Sequence, residues 1–105
     1  MPSVATQSPI TARRRAAKAL ADFAAALPEP SPTAVDLSGL PAKETELALT
    51  IHRTAIRRWI TLEYLLNGVL RQPLGDMEPA MQAVLVCGAV QGVFLDRVPH
   101  HSVVD

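Results

Sequence analysis

The chain has 105 residues, room for one small domain and no second core. Ten basic and ten acidic side chains cancel, so no net charge draws the molecule as a whole to nucleic acid or to a membrane surface. The single cysteine, Cys87, excludes an internal disulfide. No stretch has the length and apolarity of a membrane span or of a secretory signal, so a cytoplasmic location is expected.

Charge is unevenly spread. Residues 1–20 carry Arg13, Arg14, Arg15 and Lys18 and no acid, a local +4, whereas the remainder holds six bases against ten acids, a local −4. A basic start on an acidic body is the pattern of an arm for a polyanion. Hydrophobic residues make up 49% and aromatics only 4%, so the interior must be built from Leu, Val, Ile and Ala. Long Ala- and Leu-rich segments favour helix over strand.

Residues 1–10 bear Ser, Thr and Pro and read as a disordered tail. Thr11 is the expected cap of a first helix running to about Leu27, where Pro28 stops it. Ala16, Leu20, Phe23 and Leu27 recur at helical spacing as a buried stripe. Arg14, Lys18 and Asp22 fall at i, i+4 and i+8 on the opposite, wet side. Pro28, Pro30, Pro32 and Pro41 bracket a linker whose Val35, Leu37 and Leu40 are expected to lie against the core.

Neither Gly nor Pro occurs between Ala42 and Asn67, so one long helix is expected from Ala42 to about Leu70. Its apolar period is Leu47, Ile51, Thr54/Ala55, Leu62, Leu65/Leu66 and Val69. Pro73 to Asp76 reads as a loop, and Pro79 suits the first turn of a last helix that is apolar all round. Such a helix belongs in the middle of a bundle. Gly88 and Gly92, one turn apart, each cost about 1 kcal/mol against alanine, and close approach of another helix is the expected compensation. After the corner Leu95-Asp96-Arg97-Val98-Pro99 only six residues follow, so one face of the central helix is expected to stay uncovered. That face is a candidate for partner capture or for a homodimer.

The segment from Leu85 to Asp105, with its LDRVP corner at Leu95 to Pro99, closely resembles NusB-like domains. Arg13-Arg14-Arg15-Ala16-Ala17-Lys18-Ala19-Leu20, the stretch from Glu46 to Leu66, and Arg71-Gln72-Pro73-Leu74 extend the likeness over residues 11–27 and 43–105. The resemblance implies an all-α, NusB-like helical bundle over residues 11–105, C-terminally shortened and lacking the family's last helices. It also implies binding of boxA-like RNA or rRNA in transcription antitermination and rRNA synthesis, beside a ribosomal-protein partner of the NusE type. The RNA-gripping role would fall on Arg13, Arg14, Arg15 and Lys18. NusB-like domains also form the N-terminal, RNA-docking part of rRNA cytosine-C5 methyltransferases, a second reading. A helical interaction domain that binds no RNA is the third.

Read on residues alone, three consecutive arginines point about 100° apart on a helix and make a basic collar suited to several phosphates. The plain alternative is a solvated helix start. Arg53, Arg57 and Arg58 are candidates to extend the basic surface or to meet a partner, with an ion-pair face using Glu46 and Glu63 as the alternative. Asp96 and Arg97 are further candidates, weighed against a local corner ion pair. Trp59 and Tyr64 could stack on bases, but packing is the expected role of aromatics this scarce. His100 and His101 diverge and have no supporting ligands, so no metal is expected. No glycine-rich phosphate loop, nucleophile set or paired carboxylates occur, so neither a cofactor nor catalysis is expected.

Overall fold

The computed structural model describes residues 9–95. They form four α-helices and no strand: α1 (Pro9–Ala26), α2 (Ala42–Arg57), α3 (Trp59–Asn67) and α4 (Pro79–Val90). A 3-10 turn, Leu74–Asp76, precedes α4, and a π-helical turn, Gln91–Leu95, continues it. The all-α architecture is the expected one. The corner at Asp96-Arg97 and the histidines His100 and His101 lie outside the described residues.

The N-terminal helix is the hub, packed against both α4 and α2, while α4 also meets α3 and α2. Its spacing explains this. Ala12, Ala16, Ala19, Leu20, Phe23 and Ala24 are all buried, one continuous stripe at steps of three and four. Small residues in that stripe let neighbouring helices come close. Leu27 is partly buried against the same core. The helix begins two residues before the expected cap at Thr11, with Pro9 in its first turn, where a missing N–H costs nothing.

Between α2 and α3 the chain departs from its sequence pattern. The single long helix expected from Ala42 to Leu70 is broken at Arg58, whose φ of −110° and ψ of 19° lie outside the helical range. Hydrogen bonding runs through the break, from Arg58 N–H to Thr54 O and from Leu62 N–H to Arg58 O, both 2.9 Å. The kink follows from packing. It turns Trp59 inward onto Phe23, ring centroids 5.1 Å apart and planes at 61°. Such an edge-to-face pair adds about 0.5–1.5 kcal/mol beyond its buried area. Ile51, Ala55 and Leu62 are buried as expected, but Val69 is 80% exposed and Leu65 46%. Past the kink Leu62, Leu66 and Leu70 carry the inward side, Leu65 turns outward, and Val69 lies beyond the end of α3.

Leu74 in the 3-10 turn is fully buried, and its N–H donates to Asn67 Oδ1 at 2.7 Å. The loop expected over Pro73 to Asp76 is thus a plug held by the end of α3. Pro79 occupies the first turn of α4. Gln82, buried, donates from Nε2 to Met77 O at 2.8 Å, which ties its amide to the turn before α4. The largest wholly enclosed side chains among the described residues are Leu20, Ile51, Leu62, Leu74, Val86 and Val90. Each contributes roughly 1.5–3 kcal/mol by burial.

The last helix is not enclosed on every side among the described residues. Ala83, Val86, Cys87 and Val90 face inward, whereas Met81 is 51% exposed and Val84 59%. Among the described residues no helix comes close at Gly88 or Gly92: a Cβ at either position meets nothing within 4 Å. Among the described residues these glycines open a surface.

Candidate nucleic-acid interface

On α1 the three arginines take three different directions, because successive helical residues diverge by about 100°. Arg15 turns toward the linker. Its Nη1 donates to the carbonyls of Asp36 at 2.6 Å and Ser38 at 2.9 Å, and lies 3.7 Å from the Asp36 carboxylate. That carboxylate accepts from Ser38 Oγ at 2.7 Å and Ser38 N–H at 3.1 Å. These bonds, the Ser38 hydroxyl first, and the Arg15 charge hold the Asp36 carboxyl below its usual range. The turn closes at Gly39, whose φ of 77° suits glycine. Arg15 is therefore a strap over the linker.

Arg13 turns the other way, toward α4, where its Nε donates to Gln91 Oε1. The Gln91 amide is fixed at its other end too, Nε2 donating to Cys87 O at 3.2 Å. Between these two contacts Arg14 points outward, exposed, with Lys18 exposed one turn further along the same face. Asp22 bounds this basic strip at the next turn. Of the four residues predicted to hold RNA, Arg14 and Lys18 face water, Arg13 lies at a groove edge, and Arg15 is committed to the fold.

Arg53 and Arg57 are exposed on α2 and Arg58 is exposed at the kink. No hydrogen bond or ion pair among the described residues joins Arg53 or Arg57 to the α1 collar. Asp96 and Arg97 lie outside the described residues. Trp59 is core, as expected of a scarce aromatic, whereas Tyr64 is 77% exposed on α3 beside the exposed Ile60. Behind α2, His52 Nε2 lies 2.9 Å from Thr33 Oγ1, tying the linker down a second time. Burial, and then the Arg53 charge, lower the His52 pKa.

Sequence reasoning missed the groove between α1 and α4. It encloses about 270 Å³ and is lined by Arg13, Arg14 and Ala17 from one helix and Val84, Cys87, Gly88 and Gln91 from the other. Its only sequence signals are two one-turn pairs, Arg13/Ala17 and Val84/Gly88, which nothing local brings together. Cys87 is buried beneath it, its thiol pushed above the usual pKa by burial, with Arg13 opposing. Among the described residues no group of three His, Cys, Asp or Glu side chains could hold a metal. No described helix is long and apolar enough to cross a membrane.

The fold and this basic helix accord with the result of comparison with known proteins. The profile of the NusB family matches residues 10–105. Searches of curated proteins and of solved structures gave no significant match. With the match running from the start of α1 through the whole helical body, this chain belongs to the NusB family.

Proposed function

We propose that the chain binds single-stranded RNA, of boxA-like or rRNA type, in transcription antitermination and rRNA synthesis in the cytoplasm. Arg14 and Lys18 hold phosphates, and Arg13 holds a third at the groove edge. Family membership supports an RNA-binding, antitermination-type and non-catalytic role at the level of the family. The observation that carries the finer reading is the exposure of Arg14 and Lys18 one turn apart, with no carboxylate before Asp22. Guanidinium and ammonium groups on an open helix face can reach successive phosphates without unfolding anything. Arg15 supports this surface indirectly by fixing the linker away from it.

A protein partner of the ribosomal-protein type docks on the helical body in this reading. Exposed Ile60 and Tyr64 on α3, with Arg57 on the preceding turn, are the side chains suited to it. The test is a salt titration of binding to a boxA-like oligonucleotide. Wild-type affinity should fall linearly in log–log form, and Arg14→Ala and Lys18→Ala should each reduce the slope by about one. Unchanged slopes in both variants would exclude the strip as the phosphate contact.

A further inference from the structure

The groove between α1 and α4 differs in chemistry from the basic strip beside it. Its lining is mostly apolar: Ala17, Val84 and the bare backbone of Gly88, where an added Cβ meets no described atom within 4 Å. Every polar side chain on its edge, Arg13, Arg14 and Gln91, brings hydrogen-bond donors, and no carboxylate lines it. Two of the three are already positioned. Arg13 Nε donates to Gln91 Oε1, and Gln91 Nε2 donates to Cys87 O at 3.2 Å. Gln91 Nε2 also reaches Cys87 Sγ at 3.9 Å, so its amide is held at both ends and the Nη groups of Arg13 are the donors left for a ligand. Gln91 also opens the π-helical turn, a distortion that is uncommon and clusters at functional sites.

The complement of such a groove is a planar, apolar-faced ring with acceptors along one edge and a negative charge attached. The groove's volume, about 270 Å³, lies near the lower end of small-ligand sites, roughly 300–1,000 Å³. One ring system suits it. An aliphatic partner helix would leave the arginine donors without acceptors. Among bases, guanine presents two adjacent acceptors, O6 and N7, which is the edge arginine reads best.

We infer that the groove seats one unstacked guanine of the bound RNA. Its face lies on Ala17, Val84 and Gly88, its O6/N7 edge on the Nη groups of Arg13, which Gln91 orients through Nε, and its phosphate on Arg14. This rests on the RNA-binding reading and deepens it: the strip supplies affinity and the groove supplies base choice. Single-stranded RNA is recognised in this way, by splayed bases on apolar or guanidinium surfaces with edge hydrogen bonds.

The test compares short oligouridylates with and without one central guanine, by fluorescence anisotropy on the whole chain. Wild type should prefer the guanine-containing strand by about tenfold, the discrimination of one well-placed bidentate contact. A 7-deazaguanine at that position should lose most of the preference. Gly88→Leu grows from a position where a Cβ meets no described atom within 4 Å, occupies the groove, and replaces glycine with a better helix former; its thermal midpoint, measured beside the binding, checks that the fold is kept. It should bind both strands alike, at the oligouridylate level and with an unchanged salt slope. Equal wild-type affinity for the two strands, or a guanine preference surviving in Gly88→Leu, overturns the inference and leaves the phosphate strip standing. If neither strand binds, the RNA reading itself has failed. The groove is then judged by NMR alone: guanosine monophosphate shifting the Gly88 and Gln91 amides where uridine monophosphate does not sustains it, and silence overturns it.

Discussion

The guanidinium of Arg15 sits 2.6 Å from the main-chain carbonyl of Asp36 and 3.7 Å from its carboxylate, so the end of the arginine triplet is a structural strap. That relationship divides one sequence motif into two jobs. Arg15→Ala should lower stability by about 1–2 kcal/mol, the lower part of the range for charged hydrogen bonds because the group is partly exposed. RNA affinity should change little. Arg14→Ala should do the reverse, leaving the thermal midpoint nearly unmoved, as surface substitutions do. Melting curves beside binding curves for the two variants check the division.

Gly88→Ala should stabilise the protein by about 0.5–1 kcal/mol. The position is interior to α4, and a Cβ there meets no described atom, so only the helix-propensity gain remains. Urea denaturation reads the change. A loss of stability would mean that another segment does press on that face.

Leu74→Ala should cost about 2–5 kcal/mol, because a fully buried side chain is removed and the site cannot collapse easily around a plug. Asn67→Ala should cost about 1–2 kcal/mol, since it leaves the Leu74 N–H without its 2.7 Å acceptor. Because the two residues share one contact, the double variant should fall short of the sum. Denaturant midpoints for the three proteins test this.

Stability should rise as pH increases toward the ordinary histidine value of about 6.5 on account of His52. Burial keeps its folded pKa below the usual value of about 6.5, so the unfolded chain takes up a proton first as the solution is acidified. Stability is therefore complete above the unfolded value and is lost as pH falls toward the folded one. His52→Gln should flatten this part of the profile while keeping a partner for Thr33. Chemical denaturation at several pH values gives the slope.

Much of this architecture could be read directly from residue spacing. Ala16, Leu20 and Phe23 mark the buried side of α1 by period alone, and Pro79 marks the start of α4. The kink at Arg58 could not be read in that way, for no Gly or Pro announces it. Its cause is the Phe23–Trp59 contact, a tertiary event that overrides local propensity. Leu65 and Val69 differ for other reasons: Leu66 takes the inward place beside Leu65, and the helix ends at Asn67, before Val69. The strap and the groove were hidden by distance. Arg15 meets residues 21 and 23 positions away, and Arg13 meets Gln91 across 78. Local pattern shows which residues face outward, whereas the partner of each comes from helix packing.

Trp59 is the chain's single tryptophan, and it is packed edge-on against α1 at the start of α3. Its emission thus reports on one joint of the molecule without any label. A red shift signals water entering between α1 and α3, and a ligand on the far side of α1 that leaves this joint closed should leave the spectrum unmoved. The protein carries its own optical gauge for telling loosening of the bundle from occupation of its surface.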